Sequence, residues 1–396
     1  MKTGWQTRKL GEVYDVRDGT HDSPKYHATG YPFITSKNLK REGLSFDDVK
    51  LISEQDYKKI NERSAVHKGD VLFAMIGTIG NSTLVTVEPN FAIKNIALFK
   101  IPSGQSGAFL KHYLDSGWVI SKMMKGAKGT TQKFVGLGYL RDFPVNVPPL
   151  PEQQRIVGIL DEAFAGLATA QANADKNLQN ARALFASHLQ SVFAHAWRTC
   201  ELVTLSDLAS DITDGDHMPP PKSPTGVPFI TIGNIKKDTR IINFSGTFTV
   251  PHAYFDGLKT NKKPKLGDVL YTVTGSFGIP VLVRDSLNFC FQRHIGLVRP
   301  KPETSSAWLY YLLMSPQVFR QANNGATGTA QKTVSLKILR GFQVPKLPLT
   351  RQQSDVVKLD VLFEETQRLE SIYQRKLAAL DELKKSLLHQ AFSGSL

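Results

Sequence analysis

Histidines, cysteines and glycine-rich loops are where this 396-residue chain would be expected to carry chemistry. The segment Gly325-Ala326-Thr327-Gly328-Thr329-Ala330-Gln331-Lys332-Thr333 looks at first like a phosphate loop. Its lysine stands four positions after Gly328, whereas a nucleotide-binding loop has its lysine directly after the second glycine, within reach of the phosphates. No G-x-G-x-x-G opens a helix after a strand-like run. Asn146-Val147-Pro148-Pro149 is not the Asn-Pro-Pro-aromatic loop of amino-methyltransferases. No closely spaced histidine pair offers a metal site. Cys200 and Cys290 are too few for a disulfide framework or a thiolate zinc site and read as structural. His21 and His217 end equivalent turns, Asp18-Gly19-Thr20-His21 and Asp214-Gly215-Asp216-His217. Each turn is either a functional contact or a loop closed by its aspartate.

That recurrence belongs to a repeat of the whole chain. Gly30-Tyr31-Pro32-Phe33-Ile34-Thr35 returns as Gly226-Val227-Pro228-Phe229-Ile230-Thr231. Gly69-Asp70-Val71-Leu72 returns as Gly267-Asp268-Val269-Leu270, and Gly129-Thr130-Thr131-Gln132-Lys133 as Gly328-Thr329-Ala330-Gln331-Lys332. The offset drifts from 196 to 199 residues, so small loop insertions separate two copies of one module. The period is far too long for a solenoid unit.

Each copy changes character partway. Residues 1–148 and 198–347 are rich in glycine, proline, aromatic and β-branched residues. Val71-Leu72-Phe73-Ala74-Met75-Ile76 and Val269-Leu270-Tyr271-Thr272-Val273 read as buried strands, each followed by a Gly-X-X-Gly turn, Gly77–Gly80 and Gly275–Gly278. Short helices are expected around Ala108–Lys125 and Ser306–Asn323. These parts read as mixed α/β globules. Residues 149–197 and 348–396 instead carry heptads. In the first, Val157, Leu160, Phe164, Leu167, Ala174, Leu178, Ala181, Phe185 and Val192 are broken by Gln171 and His188. In the second, Val356, Leu359, Phe363, Tyr373, Leu377, Leu380, Leu387 and Ala391 are interrupted by Thr366, Glu370 and Lys384. Such seams predict two helices of about 45 residues, roughly 65–70 Å long. Equal lengths and matching seams favour an antiparallel coiled coil with a pseudo-twofold axis over two separate lids.

Charge follows the same division. The chain holds 49 Lys+Arg against 35 Asp+Glu, a net +14. The two globules carry +7 and +8, the two helical segments −1 and 0. Basic lobes on a neutral spacer suit a polyanion with two phosphate-rich sites. No apolar run approaches the about 18–20 residues of a membrane span, and no apolar stretch follows the basic residues of Met1-Lys2-Thr3-Gly4-Trp5-Gln6-Thr7-Arg8. A cytoplasmic protein with no membrane partner is expected.

A duplicated basic α/β domain, each copy followed by a long heptad helix, resembles the specificity subunit (HsdS) of type I restriction–modification enzymes. Pro148-Pro149-Leu150-Pro151-Glu152-Gln153-Gln154-Arg155-Ile156-Val157, the Gly-Asp-Val-Leu strands and the Gly-Thr-X-Gln-Lys segments carry the resemblance. The second copy departs from it: Leu349-Thr350-Arg351-Gln352-Gln353 keeps the glutamine pair and lacks Pro-Glu. The resemblance implies a target recognition domain at 1–148, a spacer helix at 149–197, a second recognition domain at 198–347 and a second helix at 348–396. It implies that the chain itself is not an enzyme and holds no cofactor. Its lobes would read a bipartite site on double-stranded DNA. Two methyltransferase subunits would supply S-adenosylmethionine and adenine N6 methylation, and two restriction/translocase subunits could join. The rival readings are a stand-alone two-headed regulator and a protein scaffold with basic lobes. Ala163, Ala170, Ala183 and Ala186, off the first seam, would leave a smooth face for a partner.

Thr20-His21-Asp22-Ser23-Pro24-Lys25 faces Asp216-His217-Met218-Pro219-Pro220-Pro221 across the repeat, so the two half-sites should differ. They should lie about one DNA turn apart, roughly 34–36 Å. Base edges call for Arg, Lys, Asn, Gln, Ser or Thr on loops. The candidates are Thr35, Ser36, Lys37, Asn38, Lys128, Thr130, Gln132 and Lys133 in the first lobe. In the second they are Thr231, Asn234, Lys236, Thr329, Gln331 and Lys332. Of these, Lys128, Lys133 and Lys332 suit phosphates. Lys259, Lys262, Lys263 and Lys265 form a further basic run, either a solvated face or phosphate contacts. Lys332→Ala should weaken DNA binding across all sequences and lower the salt slope by about one unit. A salt titration of binding checks this, and an unchanged slope would remove Lys332 from the footprint.

Overall fold

The computed structural model describes residues 4–40, 43–77, 79–329 and 331–396. Met1 to Thr3 and Ala330 of the repeated Gly-Thr-Ala-Gln-Lys segment lie outside these. The chain divides into two units: residues 1–175 with 374–396, and residues 176–373.

The first unit is built on a four-stranded antiparallel sheet, in the order Asp15–Asp18, Ile96–Lys100, Val71–Ala74, Ser82–Leu84. Val71 to Ala74 are fully buried, as a continuous apolar run on a covered sheet must be. A smaller mixed sheet orders Lys50–Ile52, Tyr31–Ile34 and Ala92–Ile93, the last pair parallel. Gln6–Lys9 pairs with Pro144–Val147 and closes the lobe near its two ends. The helical stretch expected around Ala108–Lys125 is two helices, Gly107–Leu114 and Gly117–Gly126. They part at buried Ser116, whose hydroxyl donates to Tyr113 O.

The second unit repeats this plan. Its four-stranded sheet runs Ala209–Asp214, Ile295–Pro300, Val269–Thr272, Pro280–Leu282. Its mixed sheet joins Thr249–Val250, Val227–Ile230 and Cys290–Phe291. Its helices are Ser306–Met314 and Pro316–Gly325. The repeated Gly-Asp-Val-Leu segments owe their aspartates to folding. Asp70 accepts from His67 N at 2.7 Å and Lys100 Nζ at 2.6 Å. Asp268 accepts from Lys265 N at 2.8 Å and Arg299 Nη2 at 2.7 Å. Both carboxylates are buried, so a paired cation is required there.

Two long helices follow the lobes, Leu150–Thr199 and Leu349–Ser393. Each expected seam position is buried or half-buried. Within the first unit, Ile156, Leu160 and Phe164 pack with Leu387, Leu388, Ala391 and Phe392. Gln171 Nε2 donates to Asp381 Oδ1 at 3.2 Å, and Lys384 Nζ lies 4.6 Å from the Phe164 ring centre. Within the second unit, Phe185, Leu189 and Phe193 share a core with Leu359 and Phe363, and Arg182 pairs with Glu370 at 2.8 Å. In both units the segments run antiparallel. Four of the five polar interruptions of the seam have partners: Glu370 has Arg182, Gln171 has Asp381, Lys384 has an aromatic face, and buried Thr366 has Phe363 O at 2.9 Å; the fifth, His188, is half-buried. Toward the lobes burial shifts to Ile156, Leu189, Phe193 and Ala196, because the lobe covers a second stripe of the helix.

The first glutamine of each pair fixes lobe to helix. Gln153 is fully buried. Ser106 N–H donates to its Oε1 at 2.9 Å, and its Nε2 donates to Pro148 O at 2.8 Å and Gln105 Oε1 at 2.9 Å. Gln352 repeats this: Ser305 N–H to Oε1 at 2.8 Å, and Nε2 to Leu347 O at 2.8 Å and Glu303 O at 3.3 Å. Ser106 and Ser305 are themselves the N-caps of the lobe helices. A second link is His112 Nε2 at 2.8 Å from Asp161, matched by Tyr311 Oη donating to Asp360 at 2.6 Å. Burial holds the His112 pKa below its ordinary value. Gln153→Leu should cost about 2–4 kcal/mol by stranding buried donors and acceptors. Gln154→Ala, an exposed neighbour, should stay within about 0.5 kcal/mol. Denaturant unfolding of the two variants checks the contrast.

Candidate nucleic-acid interface

The four-stranded sheet brings three loops to one edge. In the first lobe Ala97 pairs with Asp18, Ile96 with Ala74 and Phe73 with Ser82. The turn after Asp18, the turn before Ile96 and the Gly77–Gly80 turn after Ala74 therefore leave the sheet together. Thr78 lies outside the described residues. A fourth segment joins them. Lys128 and Phe134 exchange backbone hydrogen bonds at 2.9 and 2.8 Å, Gly77 N donates to Lys133 O at 3.1 Å, and Val135 N to Met75 O at 2.8 Å. The second lobe has the same loop. Thr327 and Thr333 exchange bonds at 2.9 and 2.8 Å, Gly275 N donates to Lys332 O at 3.0 Å, and Val334 N to Val273 O at 2.8 Å. The repeated Gly-Thr-X-Gln-Lys segment is thus the tip of a hairpin laid against the glycine turn.

Glycine is required where these loops touch. Gly77 and Gly275 have φ of 76° and 69°, the left-handed region that side chains rarely adopt. A methyl group on Gly19 would lie 2.4 Å from Ile93 O, and one on Gly215 only 1.9 Å from Phe291 O. The Asp-Gly-X-His turns can pass only without a side chain at the second position.

The aspartates of those turns hold the histidines. His21 Nε2 lies 3.0 Å from Asp18 Oδ2 and its Nδ1 2.7 Å from Asn95 Oδ1, while Arg63 also pairs with Asp18. His217 Nε2 lies 2.8 Å from Asp214 Oδ2. Both rings remain more than half exposed, so each turn is closed by its aspartate and still presents an imidazole.

The candidates from sequence fall into two groups. Thr35 N and Oγ1 donate to Asn38 Oδ1 at 2.9 and 3.0 Å, and Asn38 Nδ2 donates to Ser45 O at 3.1 Å. Thr231 and Asn234 do the same at 2.8, 2.9 and 3.1 Å, the last to Asn243 O. These four side chains are engaged in closing a one-turn helix. Ser36 is half-buried there, and Lys37 and Lys236 are exposed. Lys128, Thr130, Gln132, Lys133, Thr329, Gln331 and Lys332 all stand exposed on the hairpin tips. In the basic run, Lys262 Nζ donates to Gly215 O at 3.1 Å and Lys263 Nζ to Asp256 O at 2.9 Å. Lys262 thereby props the second Asp-Gly-X-His turn.

In the second lobe the edge opens into two adjoining clefts of about 320 Å³ each. Gln331 lines one and Thr231 the other; His217, Arg293 and His294 line both. Asn234 and Lys236 line neither. The Arg293-His294 turn was not among the sequence candidates. Its signal was present: Lys94-Asn95 stands between Ile93 and Ile96, but Gln292-Arg293-His294 between Phe291 and Ile295. One extra residue raises the repeat offset from 198 to 199 there. Burial and the Arg293 charge hold the His294 pKa below its ordinary value. Among the described residues no cluster of His, Cys, Asp or Glu could hold a metal ion, and no helix is long and apolar enough to cross a membrane.

Gly215→Ala should displace the turn and cost about 1–3 kcal/mol. Gly158→Ala, in the interior of the first long helix with open space around it, should instead stabilise by about 0.5–1 kcal/mol. Paired thermal melts check both signs.

Comparison with known proteins agrees with this architecture. The model of the type I restriction modification DNA specificity domain matches residues 2–176 and again 199–376. The type I restriction enzyme EcoBI specificity subunit of Escherichia coli is 22% identical over 416 residues, covering 95% of this chain and 85% of that protein. A chain from a solved structure on complex assembly and conformational transition of the type I R-M system superposes with TM-score 0.78 at 21% identity, covering 100% and 99% of the two chains. The HsdS subunit from Thermoanaerobacter tengcongensis superposes with TM-score 0.60 at 20% identity, covering 100% and 98%. At such identities the two structures speak for the fold. The family model matches both halves of the duplication, and the chain belongs to the type I restriction–modification DNA specificity family, as its DNA-recognition subunit.

Proposed function

We propose that each lobe reads one half of a bipartite, asymmetric DNA site through its loop edge. The two long helices serve as the spacer and seat two methyltransferase subunits. Those partners supply S-adenosylmethionine binding and adenine N6 methylation, and restriction/translocase subunits can join the complex. The observation that carries this reading is the edge itself: equivalent turns and the same exposed Gly-Thr-X-Gln-Lys hairpin tip recur in both lobes, while the segments after His21 and His217 and the turns before Ile96 and Ile295 carry different side chains. A common frame with exchanged contacts is what reading two unlike half-sites requires. The net charges of +7 and +8 on the lobes add the phosphate attraction.

The helices support the seating of partners. Outside the seam, Leu184, Val357 and Val361 are 54%, 65% and 61% exposed; Ala183 and Ala186, near Leu184, are exposed, whereas Ala163 and Ala170 are half-buried. Apolar side chains left outward on paired helices suit a protein surface better than water. This favours a complex over a stand-alone regulator.

N6-methyladenine in host DNA, mapped with and without this gene, tests the proposal. A gapped motif with unlike halves should vanish on deletion. An unchanged methylation map in cells that express both the gene and its methyltransferase partners would contradict it.

A further inference from the structure

The two reading edges share a frame but differ in what their central turn offers. In the first lobe that turn is consumed. Lys94 Nζ donates to Ser23 Oγ, and Asn95, at φ 53°, receives His21. In the second lobe the inserted residue lengthens the turn, and neither Arg293 nor His294 has a side-chain hydrogen bond or ion pair among the described residues. Other arginines around the sheets are tied down. Arg299 pairs with Asp268 at 2.7 Å, Arg340 donates to Ile212 O at 2.6 Å, Arg63 pairs with Asp18, and Arg141 donates to Val16 O at 2.7 Å. Arg293 is exposed and lines both clefts of the second edge. Its backbone is held: Arg293 N donates to Asp216 O at 3.0 Å and Gln292 N to Ile230 O at 3.0 Å. The turn thus fixes where the Arg293 stem begins and leaves its guanidinium available to a ligand.

We infer that Arg293 determines specificity in the second half-site by donating to O6 and N7 of one guanine in the major groove. The fork of the guanidinium matches those two acceptors, and no other base presents them together. Asp214, which holds His217 at 2.8 Å, keeps that imidazole beside the arginine, where it shapes the cleft and leaves the guanidinium uncapped. Lobe 1 has no counterpart to Arg293, since its shorter turn carries Lys94 and Asn95. The inference rests on the proposed DNA reading and adds to it the residue that makes the two halves unlike.

Selection of bound sequences from randomised duplex DNA tests this. The chain is assembled with its methyltransferase subunits as wild type, as Arg293→Ala and as Arg293→Lys. Wild type should select a gapped motif with a G·C pair at one position of the second half. Both variants should lose preference at that position by about tenfold or more, since lysine keeps the charge but lacks the fork. The first half-site should be selected unchanged and serves as the internal control for folding and assembly. Three outcomes would overturn the inference. The motif could be kept in full by both variants. Arg293→Ala could weaken all sequences equally with full rescue by lysine, which marks a phosphate contact. The entire second half could be lost in both, which marks a framework residue. No selection by wild type would instead sink the DNA reading on which the inference rests.

Discussion

The fold depends on one buried amide on each long helix. Gln153 and Gln352 lie buried where a chain leaving the lobe turns into a helix. Each uses its oxygen to accept from the N-cap residue of a lobe helix and its amino group to close the preceding Pro-rich strand exit. A buried side-chain amide is tolerated only when its donors and acceptor are matched. That requirement fixes the angle at which helix leaves lobe more tightly than apolar packing alone, which is non-directional. Phe392 against Phe109 and Phe193 against Trp308, with ring centres 5.2 and 5.8 Å apart, then fill the junctions.

Once helix and lobe are locked, the seam decides which helix segments meet. Its polar members keep it from being a uniform apolar stripe. The charged Arg182–Glu370 pair and the Gln171–Asp381 bond each form in the register of their own unit. Such groups add specificity more than stability. The loop edge, in turn, sits at the end of the sheet, its backbone held by hydrogen bonds between the loops, so that exposed side chains there can vary without cost to the core.

Much of this was legible in the sequence because duplication compares the chain with itself. Strands, glycine turns, the Gly-Thr-X-Gln-Lys segments and heptads recur, and the recurrence separates frame from chance. The same comparison could not separate frame from contact. Thr35 and Asn38 recur as Thr231 and Asn234 because they close identical turns onto Ser45 O and Asn243 O, a use that residue type does not reveal. The glutamine pair read as a family mark, and only its burial shows the hydrogen bonds. Conversely Arg293-His294 has no repeat partner, so the repeat comparison does not mark it, although an insertion between two matched strands is where lobes of one frame diverge. Ile156, Leu189 and Phe193 left the heptad for the same kind of reason, since a second packing partner adds a stripe that period 3.5 does not encode.

The central claim is that two equivalent loop edges contact two separate DNA segments. Hydroxyl-radical footprinting of the chain, assembled with methyltransferase subunits on a duplex carrying its motif, tests this most directly. The account predicts two protected tracts, centred about one helical turn apart, each lost separately when the hairpin tip of one lobe, 128–133 or 327–332, is replaced by glycine and serine. A single continuous tract, or protection that survives both replacements, would contradict it.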